Sequence, residues 1–438
     1  MRAPIVVVVS VVIALAGRAR AQDVAAPAEH AIVETPTHAP AHVRLDDDRS
    51  RRWHDFELVS DDGAHELRFI GIVQSDARLY LEPGDAADTS TFFIRRARLY
   101  AEGHVFDAFE YRLMLDFAQL DAPIVDAFVG FHFVDWLQLR VGRFKQPFSY
   151  EQFGMEDLTQ AAFERSMLDQ LVPARNVGAM IFGREILGGT LEYYLAVANG
   201  GQRDGNIDSL GQGFDGLGRI ALRPFALLGG YARNLMLGVG ATFGEQHGNA
   251  DPMRFQTPLR TTFFALAPGT TFDGMRWRVS PEIMFCVGPW GFVAQYLRME
   301  EPLRAMGSPT PHVLGIDAYY AMTTLVLTGE RRDHYAQFID PREPLDPITG
   351  RVGPGAWELI LRTSGLRVTG DAAPLLASAQ STTSAYEITV GLNWYMSRRV
   401  WIQLNYERAF WSTPIALGVG APQLWAVDNA SLRATIQW

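Results

Sequence analysis

The stretch Phe92–Gln119, FFIRRARLYAEGHVFDAFEYRLMLDFAQ, alternates between apolar and polar residues along both of its halves. In the second half, one parity carries Phe109, Tyr111, Leu113, Leu115 and Phe117, and the other carries Glu110, Arg112, Met114, Asp116 and Ala118. Because successive side chains of a strand point to opposite faces, the pattern predicts two strands, each with one apolar and one charged face. Only Phe106-Asp107-Ala108 separates the halves, which is short enough for a hairpin turn. Arg95 breaks the alternation of the first half.

The length of these two segments bears on what their apolar face contacts. Each runs for about ten residues or more, whereas strands of soluble sheets typically have roughly five or six. A soluble sandwich would bury the apolar face against a second sheet. A transmembrane barrel would turn that face to lipid and keep the charged face on a wet lumen.

Alternating segments punctuated by turns continue to the end of the chain, and we place sixteen strands in all. They lie near 66–81, 92–105, 109–119, 123–133, 136–145, 176–184, 188–198, 214–223, 234–244, 275–286, 290–299, 312–328, 356–368, 385–395, 400–408 and 430–438. The last strand ends on Trp438, and a terminal aromatic resembles the signal that directs bacterial barrels to the barrel-assembly machinery. The prediction is therefore an all-β, antiparallel transmembrane barrel spanning 55–438.

Three insertions in this pattern are long: 146–175 and 245–274 on the outside, and 329–355 on the periplasmic side. The segment 259–266 would make a seventeenth strand, but bacterial single-chain barrels have an even number, so we assign it to a loop. A barrel of sixteen strands encloses a wide lumen unless something fills it. We expect the insertions to fold into that lumen, with 146–175 forming the constriction. An ordinary solvated surface loop is the alternative for 146–175.

The N-terminal region predicts export. Arg2, the apolar run 5–16 and Ala19-Arg20-Ala21 form a signal peptide cleaved after residue 21, since twelve apolar residues are too few to span a membrane. Residues 22–54, rich in Ala, Pro, His and Asp, are predicted to be a flexible tether. Of the 39 basic residues, three arginines lie in 1–21, so 36 remain against 49 acidic residues. That excess of acid argues against nucleic-acid binding.

Alternation places many arginines on the polar face of the strands, where they would line the lumen. With Lys145 and Arg165 at the 146–175 insertion, they form our candidate path for anions: Arg96, Arg98, Arg112, Arg140, Lys145, Arg165, Arg219, Arg223, Arg276 and Arg278. Guanidinium groups suit phosphate and carboxylate and remain charged at any biological pH. Pairing with lumen carboxylates, which would simply stabilise the wall, is the alternative.

Motifs for other chemistry are absent from the sequence. We find no nucleophile elbow, zinc-spaced histidine pair or phosphate-binding glycine loop, and Cys286 is the only cysteine. Asp204, Asn206, Asp208 and Asp215 loosely echo a calcium loop, but Ser209 replaces the required glycine. We therefore predict no enzyme activity, cofactor or metal site.

The chain resembles the phosphate-selective porin O/P family of Gram-negative outer membranes. The resemblance rests on these stretches: 92–103 (FFIRRARLYAEG), 137–151 (LQLRVGRFKQPFSYE), 163–178 (FERSMLDQLVPARNVG), 222–225 (LRPF), 272–282 (FDGMRWRVSPE), 288–296 (GPWGFVAQY), 325–330 (LVLTGE), 391–397 (GLNWYMS) and 404–408 (LNYER). It implies a sixteen-stranded, trimeric channel with loops folded into the pore and arginines along the anion path. Lysines help to form the family's anion site, whereas Lys145 is the only lysine here.

These observations together predict an outer-membrane porin for passive diffusion of small anions, with phosphate as a candidate. Two alternatives stay open: a general or otherwise selective diffusion pore, and a barrel with a plugged lumen that serves as a structural or adhesive surface protein. Outer-membrane lipid and further copies of the chain, in a homotrimer, are the expected partners.

Overall fold

The computed structural model describes residues 42–43, 56–81, 90–106, 108–119, 123–200, 213–250, 253–346, 350–370, 373–379, 381–417 and 421–438. The predicted signal peptide 1–21 lies outside these residues. So does the predicted tether 22–54, apart from His42 and Val43, which pair with a short strand at Phe56–Val59. Three residues of the calcium-loop echo, at 204, 206 and 208, also lie outside them.

Sixteen antiparallel strands form the wall, which confirms the predicted number and order. Their bounds are β1 His65–Tyr80, β2 Thr91–Val105, β3 Phe109–Asp116, β4 Ile124–Val134, β5 Leu137–Lys145, β6 Arg175–Ile186, β7 Leu191–Asn199, β8 Phe214–Leu222, β9 Met236–Asn249, β10 Thr271–Val287, β11 Trp290–Arg304, β12 His312–Val326, β13 Ala356–Thr369, β14 Ser384–Tyr395, β15 Val400–Ala416 and β16 Gln423–Gln437.

Pairing between the last strand and the first closes the barrel. β16 runs antiparallel to β1, with Arg433 opposite Asp76, and the backbone of Trp438 exchanges hydrogen bonds of 3.0 and 3.1 Å with Gly71. Every other strand pairs with its neighbours in the chain. The C-terminus and the turns 135–136, 187–190 and 288–289 share one rim, which we call the lower rim. The inserted loop, residues 146–174, starts from the opposite, upper rim.

The irregularity at Arg95 in the sequence corresponds to a β-bulge. Gln74 of β1 faces Arg96 of β2, but the next residue, Ser75, faces Ile94, so Arg95 is left without a partner in the register. A bulge turns the extra side chain out of the regular alternation. Arg95 consequently reaches the inserted loop, where its Nε lies 2.9 Å from Glu164.

The outer surface of the barrel is apolar along most strands. Large side chains such as Leu113, Val129, Leu195, Ile220 and Val390 are about half exposed there. Aromatic residues lie toward the lower rim, where Trp357 of β13 stacks on Trp394 of β14 with 5.3 Å between ring centroids. An apolar band bordered by aromatic rings is typical of strands that face lipid. Among the described residues, no helix is both long and apolar enough to cross a membrane.

The inner surface differs from one side of the barrel to the other. On β1, β2 and β16 the inward side chains are mainly polar or charged, and we call these inner faces the charged wall. Its buried charged members are Asp76, Arg78, Arg96, Arg98 and Arg433. On β11 and β12 the inward side chains are mainly apolar, and we call these inner faces the apolar wall. Its buried members are Val293, Leu297, Met299, Leu303, Leu314, Ile316, Ala318 and Met322.

Loops cover the apolar wall from inside. The inserted loop contributes Met167, Leu168 and Leu171 to one buried cluster with this wall. A hairpin within 250–270, formed by Arg254–Gln256 and Thr262–Ala265, adds Phe263 and further aromatic rings. The segment 259–266 is therefore part of a loop, as predicted, although four of its residues are extended. The prediction that long loops fold into the lumen is confirmed.

Candidate functional site

The inserted loop crosses the lumen and is held to the charged wall by Asp157. Arg165, in the same loop, donates to the Asp157 carboxylate over 2.6 Å, and Arg98 of β2 makes a second, short hydrogen bond to it. Arg96 and Arg175 lie 3.5 and 3.9 Å from the same group. Although burial works against ionisation, Arg96, Arg165 and Arg98 hold the pKa of Asp157 well below its usual range.

Glu164 makes the second attachment of the inserted loop. Arg78 of β1 and the bulged Arg95 of β2 lie 2.8 and 2.9 Å from its carboxylate. Arg433 of β16 is held by two 2.8 Å hydrogen bonds to Asp76 and donates a third, over 2.6 Å, to the carbonyl of Phe163. The arginines of this wall thus bind both the side chains and the backbone of the loop.

The far side of the barrel also contacts the loop backbone. Glu282 of β10 accepts a 2.6 Å hydrogen bond from the Tyr150 amide, and Asn393 of β14 donates to the carbonyl of Ala161 over 2.9 Å. At Gly240 on β9, a Cβ would lie 2.0 Å from the Phe148 carbonyl oxygen, so only glycine lets the loop pass this close. The inserted loop is therefore packed on several sides of the lumen.

The structure separates the ten candidate residues into two groups. Five are buried in ion pairs or hydrogen bonds away from open space. Arg96, Arg98 and Arg165 meet Asp157, and on β10 Arg276 and Arg278 lie 2.7 and 3.7 Å from Asp215.

The other five line a cavity of about 840 Å³ that lies beneath the inserted loop and reaches the lower rim. We call this cavity the vestibule. Its candidate residues are Arg112, Arg140, Lys145, Arg219 and Arg223. Glu66 and His104 lie near its lower end, and Glu156 of the inserted loop lies near its upper end. The inserted loop thus forms the roof of a space bounded by β1–β9.

Carboxylates accompany most of the vestibule cations. Arg112 pairs with Glu102 at 2.6 Å, and Arg223 pairs with Glu192 at 2.5 Å. At the roof, Lys145 donates to the Met155 carbonyl over 2.8 Å and lies 3.1 Å from Glu156. Lys145 lowers the pKa of Glu156 to about 2 against the effect of burial, so this carboxylate remains ionised.

Arg184 is a vestibule residue that the sequence pattern did not reveal. It is exposed at the end of β6 and, among the residues that the structure describes, forms no ion pair with a carboxylate. Arg184 lies on the same face of β6 as Met180 and Phe182. In the sequence this face therefore has an apolar pattern, which gave no sign of a cation in the lumen. The rings of Phe182 and Tyr194 lie 5.1 and 5.8 Å from its guanidinium.

Residues 332–338 of the long lower insertion lie inside the barrel beside the vestibule. Arg332 is almost fully buried, lies 2.6 Å from Glu358 of β13, and stacks over Tyr335 at 4.2 Å. His334 of the same segment lines the vestibule, and burial lowers the pKa of its imidazole. This insertion therefore narrows the lower mouth on the side of β10–β14.

A closed barrel whose lumen is narrowed by an inserted loop is the architecture of a porin. The family model for phosphate-selective porin O and P matches residues 69–409, more than three quarters of the sequence, and the chain belongs to this family. The family and fold are those of an outer-membrane channel rather than an enzyme. A search of curated proteins gives no significant match.

Solved structures of other barrels share the fold at low sequence identity. In vitro folded OmpT of Vibrio cholerae, described as a trimer form, gives a TM-score of 0.54 at 10% identity over 86% of this chain and 100% of its own. The channel DcaP of Acinetobacter baumannii gives 0.54 at 12%, over 87% and 99%. Salmonella typhi OmpF, in complex with daunomycin, gives 0.54 at 11%, over 86% and 98%.

Proposed function

We propose that this porin conducts small anions by passive diffusion, with phosphate among them, and that the vestibule sets the preference. The observation that carries the proposal is Arg184, a guanidinium in the vestibule without a carboxylate partner among the described residues. Ions in a narrow pore respond to nearby groups, because exposed charges beyond roughly 8–10 Å are largely screened at physiological salt.

Among the described residues, seven basic and seven acidic side chains line the vestibule, so their formal charges cancel and the preference must come from hydrogen-bond donors. A guanidinium has five N–H donors, and each carboxylate engages only one or two of them. Arg112 uses one terminal nitrogen on Glu102, and Arg140 uses Nε and one terminal nitrogen on Glu110. Both arginines line the cavity with donors that these carboxylates do not use, whereas Glu102, Glu110 and Glu192 are each bound to an arginine. A hydrated anion therefore finds donors here.

The buried arginines have a different role in this proposal. Arg96, Arg98 and Arg165 position the inserted loop through Asp157, and so they shape the constriction instead of carrying ions. Arg112, Arg140, Arg184 and Arg223 form the path. This divides the candidate set by accessibility, since Arg96 is only 4% exposed.

Assembly and export complete the proposal. We propose a homotrimer, in keeping with the trimer form described for OmpT of Vibrio cholerae. Export would use the signal peptide 1–21, and recognition by the barrel-assembly machinery would use β16, whose Trp438 ring packs against Gly71 of β1. The loops that fill the apolar side of the lumen also support a second candidate, a plugged barrel with a surface role.

A salt-gradient reversal potential in planar bilayers tests the function. We expect anion preference in the wild type and a reduced preference in Arg184→Gln. Arg408→Gln removes the same charge from the outer face, where Arg408 pairs with Asp428, and should leave selectivity unchanged. A cation-selective wild type would overturn the proposal. A folded barrel without conductance would favour the plugged alternative.

A further inference from the structure

Arginines and aromatic rings alternate along the inner wall of the vestibule. Phe128 of β4 lies between Arg112 of β3 and Arg140 of β5. The two guanidinium carbons are 5.8 and 4.2 Å from the centroid of its ring. Arg140 is also 5.5 Å from Phe182, and Arg184 is 5.1 Å from that ring. The order therefore runs from cation to ring to cation across β3, β4, β5 and β6.

The series continues toward β8. Arg184 lies 5.8 Å from the ring of Tyr194 on β7, and Arg219 of β8 lies 5.9 Å from it. Phe182 and Tyr194 stack on each other with 5.8 Å between centroids. We call this row, from Arg112 to Arg219, the stacked belt. Each strand of the belt contributes one or two members, and all of them except the buried Phe182 line the vestibule.

The planar shape of arginine gives the stacked belt its chemistry. The guanidinium of Arg184 lies near the rings of Phe182 and Tyr194, and its side chain is exposed and lines the vestibule. Guanidinium stacks on aromatic rings and binds carboxylates through paired N–H donors. Both interactions can act at once on a flat ligand that carries a ring and a carboxylate. Inorganic phosphate has no ring and can use only the edge.

We infer that the stacked belt is a binding site for planar aromatic carboxylates, which it selects over aliphatic carboxylates and inorganic phosphate. The inference rests on the proposed anion conduction and names the class of solute that the vestibule favours. Its volume of about 840 Å³ lies within the range of small-molecule sites, about 300–1,000 Å³. Arg184 is the residue on which the ligand ring would stack, because no carboxylate competes for it among the described residues.

Block of the chloride current by benzoate and cyclohexanecarboxylate separates stacking from hydrophobicity and charge. The two probes have the same charge and similar size, but only benzoate has an aromatic ring. We expect benzoate to bind about two- to fivefold more tightly in the wild type, the gain of one exposed cation–π pair. Inorganic phosphate and acetate should bind more weakly than benzoate.

Two variants locate the effect. Arg184→Lys keeps the charge but replaces the flat guanidinium by a compact, strongly hydrated ammonium, so anion preference should persist while the ratio between the two probes falls toward one. Phe133→Leu removes an outward-facing ring from β4 and should leave the ratio unchanged. Heat-resistant migration of the folded barrel verifies that each variant has assembled.

The outcomes distinguish this inference from the proposed function. A wild-type ratio near one, in an anion-selective channel, would overturn the inference and leave the function standing. An Arg184→Lys variant with the wild-type ratio would overturn the assignment to the stacked belt. A cation-selective wild type would overturn the proposed function itself.

Discussion

On the charged wall, arginines of β1, β2 and β16 meet Asp157 and Glu164 of the inserted loop, whereas on the apolar wall Leu297 and its neighbours pack against Met167. Both walls face the lumen and hold the same loop. Ion pairs require particular partners at particular distances, and a buried charge that loses its partner is strongly destabilising. Apolar packing depends on filled volume, and it tolerates a change in side-chain shape better than the introduction of a polar group. The charged wall therefore sets the position of the loop, and the apolar wall stabilises the loop by burying its apolar side chains.

The largest effect should follow from Asp157→Asn, which leaves Arg96, Arg98 and Arg165 without their shared carboxylate. Breaking a buried ion pair from one side costs about 3–5 kcal/mol. The thermal midpoint of the barrel should fall, and the released loop should raise single-channel conductance.

Asp428→Asn is the matched control, because it breaks the pair with Arg408 on the outer face. Exposed pairs contribute about 0–1 kcal/mol, so this change should have little effect on either measurement. Equal losses in the two variants would show that Asp157 does not position the loop.

A smaller effect is expected for Met167→Ala, which tests the apolar wall. Met167 is fully buried, and truncation of a buried methionine costs about 2–5 kcal/mol through lost burial and a cavity. Thermal stability should decrease, but conductance should stay near wild type because the ion pairs still position the loop. Met275→Ala, on the outward face of β10 with 54% of the residue exposed, is the control. A large rise in conductance for Met167→Ala would remove the distinction between the walls.

The smallest effect concerns pH. Glu151 of the inserted loop accepts hydrogen bonds of 2.9 and 2.6 Å from the amide and hydroxyl of Ser166. Burial, reinforced by the nearby Asp169, raises the pKa of Glu151 to about 7.

A carboxyl group whose pKa is raised by folding stabilises the fold fully below its unfolded pKa, and this stabilisation is lost as pH rises through the folded value. Loop stability should therefore fall between about pH 4.5 and 7. Glu151→Gln should flatten this profile in thermal melts, while Glu185→Gln, exposed in the vestibule, should not. A profile unchanged by Glu151→Gln would exclude this residue as its source.

Period-two alternation was sufficient to predict the strands because lipid on one side and a lumen on the other give each strand two unlike faces. It succeeded even at Arg95, where the break in the pattern corresponds to a bulge. The same signal failed where both faces are apolar. On β11, Phe292 and Val293 belong to opposite faces, yet the sequence shows no contrast between them. The apolar wall could not be predicted for this reason.

By itself, the sequence determined the antiparallel barrel, its sixteen strands, the long insertions and inward-facing arginines such as Arg96, Arg98 and Arg140, but not Arg184. These features depend on local periodicity, which strand geometry imposes on neighbouring residues. Only the tertiary structure decided that Arg96 and Arg98 are buried in ion pairs with Asp157 of the inserted loop, while Arg140 and Arg184 border the vestibule. Asp157 lies about sixty residues from Arg96 and Arg98, and its approach to them depends on the path of the loop across the lumen. Accessibility to an ion is a property of that path, and no spacing along the chain encodes it.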